Sequence, residues 1–119
     1  MTAMSLQGRR ILVVEDDFIM AEDLKAELEG FGAVVLGPEP NLQGALDRLA
    51  AEPAPDAAVL DINLGGDLVY PLADLLRARR IPFIFATGYE ADAIPASYAD
   101  RPHVAKPVSM RQIIEALAG

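Results

Sequence analysis

Short, continuously apolar runs alternate along the chain with stretches whose apolar residues recur every three or four positions. The runs are residues 11–14, 33–36, 57–60 and 83–86, with a weaker one at 103–105. Their lack of polar alternation predicts strands covered on both faces, as in a parallel sheet. After Asp17, the residues Met20, Leu24, Leu28 and Phe31 predict one helical face that Gly30 and Gly32 bring to an end. Asn41 is placed to cap a second helix that buries Leu42, Ala45, Leu46 and Leu49 before Pro53 and Pro55 forbid its continuation. Leu68, Leu72, Leu75 and Leu76 predict a third. Pro95 interrupts the helical pattern over 91–99, so a short or distorted fourth helix is expected there. In the last, Ser109 and Gln112 fit a capping box, Val108 is placed to staple onto Ile113, and Ile113, Ile114 and Leu117 face inward.

Strands alternating with helices over 119 residues predict one α/β domain spanning 1–119, with residues 1–8 as a flexible N-terminal extension. Right-handed crossovers leave few topologies, and the best fit is a three-layer α/β/α sandwich with a flavodoxin-like, five-stranded parallel sheet of order 2-1-3-4-5. In such a sheet ligands bind beyond the carboxyl ends of the strands, at the switch point between strands one and three. The residues that follow each apolar run therefore carry the chemistry.

Those residues are Glu15 and Asp16 after the first run, Asp61 after the third, Thr87 after the fourth and Lys106 after the fifth. Carboxylates gathered on one rim repel unless a cation neutralises them, and an all-oxygen set favours a hard ion, Mg²⁺ or Mn²⁺. Magnesium commonly completes its shell with water and phosphate oxygens, so the rim suits a phosphoryl group. Asp61, at the end of a buried strand, is the expected nucleophile and metal ligand, with the Thr87 hydroxyl and the Lys106 ammonium holding phosphoryl oxygens. Lys106 precedes Pro107, and a cis bond there would make a tight turn that aims the lysine inward. Asp17 is expected to cap the first helix.

Composition narrows the function further. With 18 acidic against 10 basic side chains and a net charge of −8, non-specific attraction to nucleic-acid backbones is disfavoured. The cluster Arg77, Arg79, Arg80 falls where a helix should end, and cations there complement its dipole. Cysteine is absent, which excludes thiol nucleophiles and zinc–thiolate sites. The apolar runs are too short to span a bilayer, and the one after Arg9 and Arg10 ends too soon for a signal peptide. A cytoplasmic protein without membrane insertion is expected.

The segments ILVVEDD (11–17), LDIN (60–63), ATG (86–88) and Lys106-Pro107 together resemble the response-regulator receiver domain over nearly the whole chain. The resemblance implies Asp61 as phospho-acceptor, Glu15 and Asp16 as the acidic pair, and the Asn63 backbone carbonyl as a further metal ligand. It also implies Thr87 as the switch hydroxyl and Lys106 as the phosphoryl-binding lysine. A narrower resemblance, on PFIFATGY (82–89), is to stand-alone receivers of phosphorelays. It implies a sensor histidine kinase as donor, onward transfer to a histidine phosphotransfer protein or contact with a downstream regulator, and no DNA-binding output domain. Such a protein is not a turnover enzyme: it catalyses its own phosphorylation and slow dephosphorylation.

Where many receivers carry Tyr or Phe three residues before the lysine, this chain has His103; Tyr89 is the alternative switch or site-covering residue. Gly88 either leaves backbone room for a bound phosphate or simply permits a turn, and Gly65-Gly66 reads as a turn ahead of the third helix. Three other functions compete. A flavodoxin-like cofactor carrier shares the fold class but would need a hydroxyl- and glycine-rich phosphate loop where Glu15-Asp16-Asp17 stands. A metal-dependent aspartyl phosphatase would need a general acid where Asn63 stands. A receiver-like interaction module would work without phosphorylation.

Overall fold

A computed structural model describes residues 6–51, 54–87, 103–105 and 110–118. Five parallel strands form the main sheet: β1 (Arg10–Val14), β2 (Val34–Glu39), β3 (Ala57–Leu60), β6 (Phe83–Thr87) and β7 (His103–Ala105), in the order β2-β1-β3-β6-β7. A separate antiparallel hairpin, β4 (Asn63–Leu64) with β5 (Asp67–Leu68), lies between β3 and the third helix. With that hairpin set apart, the principal strands run 2-1-3-4-5. The helices among the described residues are α1 (Phe18–Gly30), α2 (Leu42–Ala50), α3 (Tyr70–Ala78) and α4 (Met110–Ala118). The helix expected over 91–99 and the caps at Val108 and Ser109 fall outside the described residues.

The continuous apolar runs become strands buried on both faces because alternate side chains feed two cores. Leu12, Val14, Ala58, Leu60, Phe83 and Phe85 join Leu49 of α2 and Leu72 and Leu76 of α3 on one side. Ile11, Val13, Ala57, Val59, Ile84 and Ala86 join Leu24 and Leu28 of α1 and Ile113, Ile114 and Leu117 of α4 on the other. The three layers follow from that division. On the first side the Phe85 ring meets Phe83 edge-on at 5.5 Å and Tyr70 at 6.0 Å, which stiffens the sheet near its carboxyl end.

The caps follow the sequence closely. Asp17 Oδ1 accepts the Met20 N–H at 3.0 Å, and Asn41 Oδ1 accepts the Gly44 N–H at 2.7 Å. The third helix departs from its predicted face. It starts at Tyr70 with Pro71 in the first turn, where a missing N–H costs nothing, and it buries Leu72, Ala73 and Leu76. Leu75 is exposed, and Leu68 belongs to the hairpin, also exposed. In α1 the buried stripe is Ala21, Leu24 and Leu28, with Met20 and Phe31 only half-buried.

Residues 6–8, expected within a flexible extension, are anchored. The Leu6 N–H donates to Phe31 O and the Gly8 N–H to Gly32 O, both at 2.9 Å, and Leu6 is fully buried in the α1/α4 core. Gly32, at φ 94°, lets the chain turn beside this segment, where a Cβ would lie 2.9 Å from Gln7 Cα. Among the described residues no helix is long and apolar enough to cross a membrane.

Candidate acidic site at the carboxyl end of the sheet

Val14 pairs with Leu60, and Leu60 with Phe85, so the residues that follow them, Glu15, Asp61 and Ala86, stand at one level of the sheet. The Asp61 N–H donates to Val14 O at 2.8 Å, which continues the β1–β3 pairing to that level. Asp61 Oδ1 accepts the Ile62 N–H at 2.8 Å, and Glu15 Oε2 accepts the Asp17 N–H at 3.0 Å. Main-chain donors thus orient both carboxylates.

Glu15 and Asp61 are only 6% and 8% exposed, whereas Asp16 lies at the surface. One carboxylate oxygen from each of the three lies within 4.8 Å of the others. At that distance and an effective dielectric constant of about 20, two unit charges repel by about 3.5 kcal/mol. Solvent screens the pairs that involve Asp16. The hard oxygen donors of the cluster fit a divalent cation of the Mg²⁺ or Mn²⁺ type. Asp17 stands apart as the helix cap.

Asn63 opens β4, two residues past Asp61. Gly65 and Gly66 have φ of 67° and 109°, the left-handed sense of the mirror-image hairpin turns that match strand twist. The Gly66 N–H donates to Asn63 Oδ1 at 2.7 Å, so the Asn63 side chain serves the turn. Thr87 ends β6 and pairs with Ala105, and His103 opens β7 opposite Phe85. Gly88, Tyr89, Lys106 and Pro107 lie outside the described residues.

Two features beside the cluster escape the strand-end reading. A cavity of about 140 Å³ is lined by Glu15, Asp16, Phe18, Ala21, Glu22, Pro38 and Pro40. Phe18, which lines it, and Ile19, the residue that follows in α1, are 76% and 71% exposed. They follow the cap residue and precede the buried stripe of α1, which is the one signal in the sequence that they are not core. The second feature is the Glu15 N–H, which donates at 3.0 Å to the carbonyl of Glu39, the last residue of β2.

No protein-family model matches the sequence. The chain is 39% identical to SdrG from Sphingomonas melonis Fr1, whose solution structure superposes with a TM-score of 0.81, covering 99% of this chain and 97% of that one. SdrG is also known in a BeF3-activated conformation, with a TM-score of 0.71 over 92% of each chain. The non-phosphorylated HemR receiver domain from Leptospira biflexa is 26% identical, with a TM-score of 0.73, covering 92% of this chain and 91% of that one. Among curated proteins, the sensory transduction protein LytT of Bacillus cereus is 30% identical over 112 residues. That match takes in 91% of this chain and 45% of LytT, so the chain spans less than half of that relative.

Proposed function

The chain belongs to the response-regulator receiver family, and from that premise we propose that it is a phosphorelay receiver whose Asp61 accepts a phosphoryl group. The observation that carries this reading is the convergence of Glu15, Asp16 and Asp61, one oxygen from each within 4.8 Å, at the ends of adjacent strands. The BeF3-activated conformation of the SdrG relative supports it, since beryllofluoride has the charge and tetrahedral shape of a bound phosphoryl group.

In the proposed reaction an Asp61 carboxylate oxygen attacks the phosphorus of a phosphohistidine. The O–P bond forms as the P–N bond breaks, and the electron pair returns to the ring nitrogen, which takes up a proton. Ile62 N–H, donating to Asp61 Oδ1, restricts rotation of the carboxylate and so presents it in one orientation. Glu15, Asp16, Asp61 and the Asn63 main-chain carbonyl would hold Mg²⁺ or Mn²⁺. When bound, the ion spreads the charge of the transferring group. Thr87, Gly88 and Lys106 are assigned to the phosphoryl oxygens, Pro107 to a cis turn that aims Lys106, and Tyr89 and His103 to the switch surface.

The donor we infer is a sensor histidine kinase, and the output is protein contact or onward transfer to a histidine phosphotransfer protein. We infer a signalling role in the cytoplasm, without turnover of an external substrate. The test is incubation with acetyl phosphate and Mg²⁺ followed by intact-mass measurement. Wild type gains one phosphoryl group and Asp61→Asn gains none. An equal gain by both, or no gain by wild type even from a cognate kinase, refutes the assignment.

A further inference from the structure

The strand that ends against Glu15 is not regular. β1 and β2 pair as Arg10 with Val34, Ile11 with Val35 and Leu12 with Leu36, but Val14 pairs with Glu39. Two steps on β1 face three on β2, so β2 holds one extra residue, a bulge of a kind rare in parallel pairs.

The chain chemistry explains why. The Val34 N–H donates across to Arg9 O at 2.8 Å, and in parallel pairing every second residue of β2 takes that donating position. An unbroken register would give it to residue 36 and then to residue 38, which is proline and has no N–H. The bulge passes the position to Glu39. Gly37 makes the bulge at φ 98°, where a Cβ would lie 2.7 Å from Glu39 N and 3.0 Å from Val13 O. Both are main-chain atoms that cannot yield as a flexible side chain would.

Glu39 is then held at both ends. Its carbonyl receives the Glu15 N–H at 3.0 Å. Its carboxylate Oε2 accepts from Arg48 Nε and Nη2 of α2 at 3.0 and 2.8 Å. The other oxygen, Oε1, packs on the α2 backbone at Gly44, where a Cβ would come within 2.5 Å of it. A continuous physical path therefore runs from α2 through Glu39 to the main chain of Glu15.

We propose that Gly37 and Glu39, with Arg48, are positioning residues for the cation site, setting the place of Glu15 without touching the ion. The inference rests on reading the Glu15, Asp16, Asp61 cluster as a divalent-cation site. Supporting groups around a metal site typically change affinity by roughly 10- to 100-fold. Displacing Glu39 at its backbone should sit at the low end, and releasing its carboxylate lower still, because the ion pair is partly exposed.

Calorimetric titration of the metal-free protein with Mg²⁺ tests this, alongside the melting temperature in chelator. Gly37→Ala should bind about tenfold and Arg48→Met about threefold more weakly than wild type, with Arg48→Lys recovering most of the loss. Arg48→Met should melt with wild type in chelator, which a purely structural role would not allow. Leu117→Ala, a core change remote from this path, should lower the melting temperature and leave Mg²⁺ affinity intact. If Gly37→Ala fails to fold, Arg48→Met and Arg48→Lys decide the matter. Wild-type affinity in both Gly37→Ala and Arg48→Met, or an equal loss in Leu117→Ala, overturns the positioning role while the cation site stands. No Mg²⁺ binding by wild type removes the cation site itself.

Discussion

Neutralising Asp61 should stabilise the metal-free protein and abolish its response to Mg²⁺. Asp61 is 8% exposed and Glu15 6%, with oxygens within 4.8 Å, so their repulsion at an effective dielectric constant of about 20 is about 3.5 kcal/mol. Asp61→Asn removes that term and keeps an oxygen to accept the Ile62 N–H, although a bond to a charged acceptor is stronger by about 1 kcal/mol. The Asp61–Asp16 contribution is screened at the surface and adds little. A net gain of up to about 2.5 kcal/mol follows, equivalent to at most roughly 8–12 °C in melting temperature for a domain of this size. Wild type, by contrast, should gain about 2.7 kcal/mol from Mg²⁺ at about 100 times its dissociation constant. Circular dichroism melts of both proteins in chelator and in saturating Mg²⁺ measure all four states. The variant should melt higher in chelator and hardly move with Mg²⁺, so that the gap closes when wild type is loaded. A lower melting temperature for Asp61→Asn in chelator, or an equal rise of both proteins with Mg²⁺, would refute the reasoning.

Other substitutions separate neighbouring contributions. Asp17→Ala removes the α1 cap and should cost about 1 kcal/mol in urea denaturation, with Mg²⁺ affinity unchanged because Asp17 caps and does not ligate. Leu72→Ala opens a cavity in the core under β3 and should cost about 2–5 kcal/mol by the same assay. At Gly65, where φ is 67° and a Cβ would meet nothing within 4 Å, only backbone strain is at stake. Gly65→Val should therefore lose about 1–2 kcal/mol, and Gly65→Asn, whose side chain tolerates the left-handed region, clearly less.

Most of the sheet was readable because burial on both faces leaves a plain mark: the runs at 11–14, 57–60 and 83–86 contain no polar residue at all. Caps were equally plain, since Asp17 and Asn41 each precede an amphipathic stretch. The third helix was harder. Leu68, Leu72, Leu75 and Leu76 offer a helical spacing, yet the short hairpin takes Leu68, and the start at Tyr70 turns Leu75 outward. Periodicity reports that a face exists; where the helix begins fixes which residues lie on it. A two-residue strand such as Asn63–Leu64 is too short to leave any periodic signal, and only Gly65-Gly66 announces its turn.

The site shows the same boundary between composition and geometry. Glu15, Asp16 and Asp61 were readable as residues that end apolar strands, and parallel register brings Glu15 and Asp61 to one level, so their proximity follows from pairing Val14 with Leu60. What supports Glu15 was not readable, because the contact uses the carbonyl of Glu39, a group every residue possesses. The signal lay one step back, in Gly37-Pro38 at the end of an edge strand. A proline in a donating position forces either an unsatisfied Val13 carbonyl or a bulge, and a buried unsatisfied carbonyl costs about 1–3 kcal/mol. The glycine before it makes the bulge the cheaper outcome. The same irregularity leaves the outer edge of β2 a poor template for a further strand, so one dipeptide blunts the edge and delivers Glu39 to the acidic site.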